Sequence, residues 1–221
     1  MEPTRYSTIV ATRNRPEALA LSLPLMLGQP RLPEQIVVVD SSDDPAPNKA
    51  LIGRLAAETD VPLHHMTSRA SSSLQRNIGL ERISSEVVFF PDDDSLVLPG
   101  ALEAIMHVYD HDSQQIIGGV CSAEAKAPPD GILSNQQASY RMTLGDRIKA
   151  RIARRRYAVE AALFRDPFFL LADLKYEKLP APPPWLAEEN AILVPWMTGF
   201  RMSFRTDVIR QVGFNEHLGQ Y

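Results

Sequence analysis

The stretch Val87-Val88-Phe89-Phe90-Pro91-Asp92-Asp93-Asp94 constrains the fold most, because a short apolar run ends in three adjacent carboxylates. A continuous run of β-branched and aromatic residues is the pattern of a strand buried on both faces, as in a parallel sheet covered by helices. Side chains on extended backbone alternate, so Asp92 and Asp94 are expected to project together and Asp93 the other way. Two converging carboxylates repel unless a cation joins them or one takes up a proton. A hard divalent cation with a phosphate on its far side meets that need. The plain alternative is that the aspartates cap a helix opening at Pro99, where negative charge meets the helix dipole.

The chain leading to this stretch alternates strand and helix. Ser7 to Thr12 is β-rich and ends in Arg13-Asn14-Arg15-Pro16. Pro16 suits the first turn of a helix carrying Leu19, Leu21, Leu23, Leu25 and Leu27, which Pro24 is expected to kink or end. Gln35 to Asp40 is a second buried strand ending in a carboxylate, Asn48 to Thr59 a helix, and Val61 to Thr67 a third strand. Ser71-Ser72-Ser73 supplies hydroxyl caps for a helix from Leu74 to about Ile83. Glu86 to Pro91 is the fourth strand and Pro99 to Tyr109 the following helix. Four alternations predict a mainly parallel α/β sheet with right-handed crossovers, which binds ligands beyond the carboxyl ends of its strands. Those ends carry Thr12 to Arg15, Asp40 to Asp44, Ser68 to Ser73 and Asp92 to Asp94, so the polar residues gather on one edge. No G-x-G-x-x-G follows the first strand, which argues against a dinucleotide site.

After a fifth strand at Gln115 to Ala123 the alternation stops, and residues 124–190 form a distinct block. Asp146 to Leu163 can be drawn as a helix with Arg147, Lys149, Arg151, Arg154, Arg155 and Arg156 mostly off its apolar stripe, followed by Phe168-Phe169-Leu170-Leu171. A basic amphipathic helix beside an aromatic-aliphatic knob suits peripheral contact with an anionic bilayer through 146–171. A solvated helix packed on the sheet accounts for the pattern equally well. Strand character resumes from Ala191 to Arg205, and Thr206-Asp207 caps a helix over Val208 to Val212.

Composition narrows the class. The 221 residues suit one α/β domain, and 23 Lys+Arg against 27 Asp+Glu gives a net charge of −4, which argues against a general nucleic-acid binder. The single Cys121 sits among apolar residues, where a buried reduced thiol is expected. Met1 to Tyr6 is polar and no apolar segment reaches spanning length, so the expectation is a cytoplasmic protein, soluble or peripheral at the inner face of the membrane.

Together, Thr8-Ile9-Val10-Ala11-Thr12-Arg13-Asn14-Arg15, Val37-Val38-Val39-Asp40-Ser41-Ser42-Asp43, Gln75-Arg76-Asn77-Ile78-Gly79-Leu80, Phe89-Phe90-Pro91-Asp92-Asp93-Asp94 and Thr198-Gly199 through Gly213-Phe214-Asn215-Glu216 resemble the family 2 glycosyltransferases of the GT-A fold. The resemblance implies one GT-A domain over 1–221: a Rossmann-like nucleotide-binding half (1–123), a helical insertion (124–190) and acceptor-side strands (191–221). It implies transfer of a sugar from a nucleotide diphosphate donor, UDP- or dTDP-linked, to a hydroxyl on a saccharide or lipid-linked acceptor. Inversion, Mg²⁺ or Mn²⁺, and a place in polysaccharide or cell-envelope synthesis go with it. By position, Thr12 and Arg15 would flank base and phosphates, and Asp40 would read the base. Arg76 would neutralise phosphates or clamp Asp40 and Asp92, Asp92 would hold ribose or metal-bound water, and Asp94 would ligate the metal. Trp196, Thr198 and Gly199 would meet the donor sugar and acceptor. The general base of the family follows the Gly213-Phe214-Asn215-Glu216 element, so it is expected beyond Tyr221 in a truncated chain, or replaced by Glu188, Glu189 or Glu216. Asn77 and the histidines His64, His65, His107 and His111 read as structural or exposed. The alternatives are a metal-dependent nucleotidyltransferase, whose glycine-rich phosphate loop is missing, and a non-catalytic sugar-nucleotide-binding module.

Overall fold

The computed structural model describes residues 2–123, 125, 129, 181–194, 197, 199 and 201–217. The chain divides into two compact units, one of Met1–Pro129, Pro184–Ala191 and Trp196–Tyr221, the other of Asp130–Pro183 and Ile192–Pro195. All described elements belong to the first, and the helix and knob expected over 146–171 lie outside the described residues.

The elements run β1 (Tyr6–Thr12), α1 (Pro16–Leu27), β2 (Ile36–Asp40), α2 (Ala46–Ala56), β3 (Leu63–Thr67), α3 (Ser72–Arg82), β4 (Val87–Pro91), α4 (Ala101–His111) and β5 (Gly119–Cys121). A 3-10 turn (Pro184–Ala187), β6 (Arg201–Arg205) and α5 (Thr206–Val212) follow. The sheet order is β3-β2-β1-β4-β6-β5. The first four strands are parallel, β6 runs antiparallel to β4, and β5 is antiparallel to β6. This is the Rossmann-like, mainly parallel sheet flanked by helices that the alternation predicts.

Side-chain alternation divides the core between the two faces of the sheet. Tyr6, Val10, Ile36, Val38, Val87 and Phe89 join α1, α2 and α4 on one face. Ile9, Val37, Val39, Val88 and Phe90 meet Leu80, Ile83, Met202 and Ile209 on the other. Each such side chain, fully buried, contributes about 1.5–3 kcal/mol relative to exposure, and β2 and β4 carry no polar residue before their carboxyl ends.

Several boundaries differ from the sequence expectation. Helix α1 runs past Pro24 to Leu27. Pro24 lies on the exposed side, where water can serve the carbonyl that loses its amide partner, and the buried set is Leu19, Ser22, Leu23 and Met26 rather than every second leucine. Helix α4 starts at Ala101 behind Gly100 (φ 80°), so the aspartates of the β4 tip do not cap it. Strand β5 is only three residues long and leaves Cys121 half-buried. Between 191 and 205 the described strand is Arg201–Arg205 alone, and Ile192 and Val194 are exposed. Among the described residues no helix is long and apolar enough to cross a membrane.

Two ion pairs secure the periphery. Asp112 accepts from Arg205 (2.9 Å) and from the amides of Ile116 and Ile117, closing the turn into β5 beneath the Tyr109 ring. Asp110 ties down the amino-terminal segment by accepting from the Thr4 amide (2.7 Å) and the Arg31 guanidinium (2.6 Å). Burial would raise the Asp110 pKa, but the Arg31 and Thr4 hydrogen bonds outweigh it and bring the carboxyl from 3.8 down to about 2. A depressed carboxyl stabilises the fold above its unfolded pKa and loses that contribution as pH falls through the folded value. Asp110→Asn is therefore expected to be less stable than wild type at pH 7 by about 2–3 kcal/mol, with the gap closing between about pH 4 and pH 2. Urea unfolding across that range checks it; a constant gap would show that Asp110 is not the titrating tether.

Candidate active site

Strand order reverses between β1 and β4: the chain leaves β1 towards β2 and β3, then returns to place β4 on the other side of β1. Connecting segments diverge at such a point and open a crevice at the carboxyl ends. Here the ends meet at an isolated bridge between Ala11 and Asp92. Beyond it lies a cleft of about 490 Å³ lined chiefly by Arg13, Asn14, Arg15, Arg76, Asp92 and Asp93.

The three carboxylates do not continue the strand. The Ser95 amide donates to the Asp92 carbonyl (3.0 Å) and the Asp92 amide to the Ser95 hydroxyl (3.1 Å), so a tight turn sets their directions. Asp93 is buried: one oxygen accepts from the Thr12 hydroxyl (2.8 Å), the other from Arg15 (2.8 Å), and its carbonyl accepts from Ser22 (2.7 Å). Asp92 and Asp94 remain about half-exposed, the former paired with Arg76 (3.1 Å), the latter with Arg15. Burial pushes the Asp92 and Asp93 carboxyls above their ordinary value; Arg76 and the Thr12 hydroxyl respectively pull the other way. The guanidinium of Arg15 gains basicity chiefly from its bond to Asp94 and from the charge of Asp93. Thr12 and Arg15 thus serve the acidic turn directly.

The structure does not bring Asp40 to this cleft. Its side chain has no exposure, and its oxygens accept from the Ser42 amide (2.8 Å), Asn48 (2.9 Å) and His65 Nε2 (3.1 Å). Burial opposes ionisation, yet these bonds, Ser42 and Asn48 foremost, hold the carboxyl below its usual range. The effect is to fix the loop after β2. The Ser42 hydroxyl accepts from the Asn14 amide (2.7 Å), and Asn14, in the left-handed region (φ 54°), exchanges two side-chain bonds with Asp43 (2.8 and 3.0 Å). Asp43 is 76% exposed, and the Asn14 bond, then the charge of Arg13, lowers its pKa.

The remaining expected site residues are scattered. Trp196 and Thr198 lie outside the described residues. Gly199 is an exposed turn position two residues ahead of Arg201, which pairs with Pro91 and so enters the sheet at the cleft edge. Glu188 is exposed in the turn after the 3-10 segment. Glu189 is 2.9 Å from His111 Nδ1 at the end of α4 remote from the strand tips. Glu216 accepts from Asn77 (3.1 Å) and Arg69 (3.3 Å). Sequence reasoning placed Arg13, Asn14 and Asp93 on the polar edge but gave them no individual role; His65, read there as structural or exposed, sits opposite Val38 in the β2–β3 register and bonds Asp40 from there.

Among the described residues no group of three or more His, Cys, Asp or Glu side chains forms a metal cage. The donor set nonetheless suits a hard divalent ion. Asp92 and Asp94 each use one oxygen on an arginine, are half open to solvent, and lie close enough for Asp94 to raise the Asp92 pKa. Mg²⁺-like ions are commonly held by one or two carboxylates, with ligand phosphates and water completing the shell.

The sequence model described as Glycosyl transferase family 2 matches residues 7–169. Among solved structures, the chain is similar to the mannosyltransferase PcManGT from Pyrobaculum calidifontis in complex with GDP-Man and Mn²⁺, at 18% identity and TM-score 0.58, over 97% of this chain and 48% of that one. It also matches the S. aureus TarS fragment 1–349 in complex with UDP-GlcNAc, at 22% identity and TM-score 0.42, over 48% of this chain and 31% of that one. The chain thus spans about half the length of the mannosyltransferase. No curated protein matches.

Asp40→Ala is expected to lower unfolding free energy by about 2–4 kcal/mol, because three donors to one buried carboxylate lose their acceptor together. Equilibrium denaturation measures this, and a loss under about 0.5 kcal/mol, the range of surface substitutions, would show that Asp40 does not anchor the loop.

Proposed function

The chain belongs to glycosyl transferase family 2, and from that premise we propose that it transfers a sugar from a nucleoside-diphosphate donor to a hydroxyl acceptor with inversion, assisted by Mg²⁺ or Mn²⁺. The observation that carries this reading is the charge pattern of the cleft at the β1–β4 switch point: three guanidinium groups and the acidic turn share one crevice of about 490 Å³. A diphosphate needs cationic donors beside it, and arginine forks match phosphate oxygens in pairs.

In this reading Arg76 and Arg15 face the diphosphate, Asp92 and Asp94 hold the cation, and the nucleoside lies towards Arg13 and Asn14. Base recognition falls to the rim. An ionised carboxylate only accepts, so exposed Asp43 pairs with a ring N–H of uracil, thymine or guanine, while buried Asp40 holds the loop beside it. As the anomeric carbon–oxygen bond breaks, the electron pair leaves with the diphosphate; a divalent cation there supplies Lewis-acid stabilisation worth several kcal/mol. The acceptor oxygen bonds to the anomeric carbon from the opposite face and gives its proton to a base on that side, a step contributing roughly 10²–10⁴-fold. Gly199, ahead of β6, marks where the acceptor-side segment enters.

UDP, GDP and dTDP, each tested with Mn²⁺, are expected to include one that raises the melting temperature by several degrees. Ligand at 100 times Kd stabilises by about 2.7 kcal/mol, and a chain of this size shifts roughly 2–4 °C per kcal/mol. Chelation and Asp94→Ala should each abolish the shift. A shift that survives both would remove the metal from the reading, and no shift with any diphosphate would remove the donor.

A further inference from the structure

The segment after α5 is built onto α3 in a way the transfer reaction itself does not require. Gly213 (φ 67°) turns the chain back, and the Asn77 side chain then treats Phe214 as a strand partner would: its Nδ2 donates to the Phe214 carbonyl (2.9 Å) and its Oδ1 accepts from the Phe214 amide (2.9 Å). Asn77 also donates to Glu216, which Arg69 holds from the other side. The result is to fix the Phe214 ring. It packs edge-on against Phe90 (5.1 Å) and lies under the Arg76 guanidinium, whose central carbon is 5.5 Å from the ring centroid. Arg76 is only 15% exposed and makes one hydrogen bond among the described residues, to Asp92, while lining the cleft. A guanidinium so enclosed would reach other acceptors by swinging unless a face is provided for it. An aromatic face provides one, attracting the cation without occupying any N–H.

We propose that Phe214 is the positioning residue for Arg76: its ring, pinned by Asn77, holds the guanidinium with its remaining N–H groups turned into the cleft, where they receive the donor's diphosphate. The ligand part of this rests on the donor reading above; the positioning part does not.

The test uses the full chain in two arms. In ligand-free protein carrying isotope-labelled arginine, the Arg76 side-chain signals, assigned by Arg76→Lys, should be shifted upfield by the ring current. They should collapse to averaged positions in Phe214→Leu, persist in Phe214→Tyr, and collapse in Asn77→Ala, which frees the strap while leaving the ring chemistry and the Phe90 contact surface in place. In the second arm, calorimetry of Mn²⁺ with inorganic pyrophosphate should show binding weakened roughly 3- to 30-fold by Phe214→Leu, restored by Phe214→Tyr, and unaffected by the same change in an Arg76→Ala background. Arg76 signals indifferent to loss of the ring in a folded variant would overturn the proposal, as would an equal loss of binding in the Arg76→Ala background. If wild type binds no pyrophosphate, the donor reading fails, and the spectroscopic arm alone decides the positioning role.

Discussion

The close approach of α3 to the ends of β1 and β2 is the constraint on which the cleft depends. A Cβ at Gly79 would lie 2.5 Å from the Ile9 side chain, so the helix can sit this near only because position 79 has none. One turn earlier, the Gln75 amide donates to carbonyls near the ends of both strands, Val39 (2.6 Å) and Thr12 (2.9 Å), the latter also accepting from the Ser41 amide (3.0 Å), and so ties the helix to the sheet. With Gln75 committed to the sheet, helical geometry turns Arg76 about 100° towards the cleft and Asn77 a further step towards the carboxyl-terminal strap. Three consecutive residues therefore carry three tasks, and a rotation of α3 by one position would exchange a buried amide for a buried charge.

That placement explains how so much charge is tolerated at one edge. Asp93 is the most buried of the three acids, and it is matched by a hydroxyl and a guanidinium rather than by solvent. Its role is to seat Arg15, whose second nitrogen reaches Asp94; Arg76 does the same for Asp92 from the opposite wall. The acids on the open side are left half-exposed, each pairing with one arginine through one oxygen among the described residues. Raised pKa values at Asp92 and Asp93 express the same tension, since burial and mutual repulsion there exceed what the arginines return. On the proposed reading, a site that takes both anions and a cation would be poised this way, each charge partly satisfied from within and completed by the ligand.

Much of the fold was legible because β2 and β4 are buried on both faces and are bounded by the acids that end them. Their limits follow directly from Ile36-Val37-Val38-Val39-Asp40 and Val87-Val88-Phe89-Phe90-Pro91. The edge on which the polar residues gather was legible for the same reason. The orientation of individual side chains was not. Asp40 ends its strand just as Asp92 does, but whether it faces ligand or core is decided by His65 across the sheet and Asn48 on the next helix, neither of which has a periodic signature. Alternation predicted the outward pairing of Asp92 with Asp94, yet the cause is the Ser95 turn, a hydrogen-bonded detail rather than a period. The apolar residues at Ile192 and Val194 misled for the opposite reason: they are exposed and pair with no strand among the described residues, so β propensity alone did not make a strand there.

The two sides of the cleft also meet through shared aromatic contacts. Phe90, two residues before Asp92, places its ring against Phe204 of β6 (6.3 Å) and against Phe214 of the strap (5.1 Å). Strand β6 begins beside Pro91 and ends at Arg205, locked into the Asp112 turn. Phe204 of β6 and Phe214, whose ring lies under Arg76, therefore share one neighbour in Phe90. The acidic turn, which follows Phe90 in the chain, and the Arg76 guanidinium, which lies over Phe214, are thus joined through one pair of packed rings.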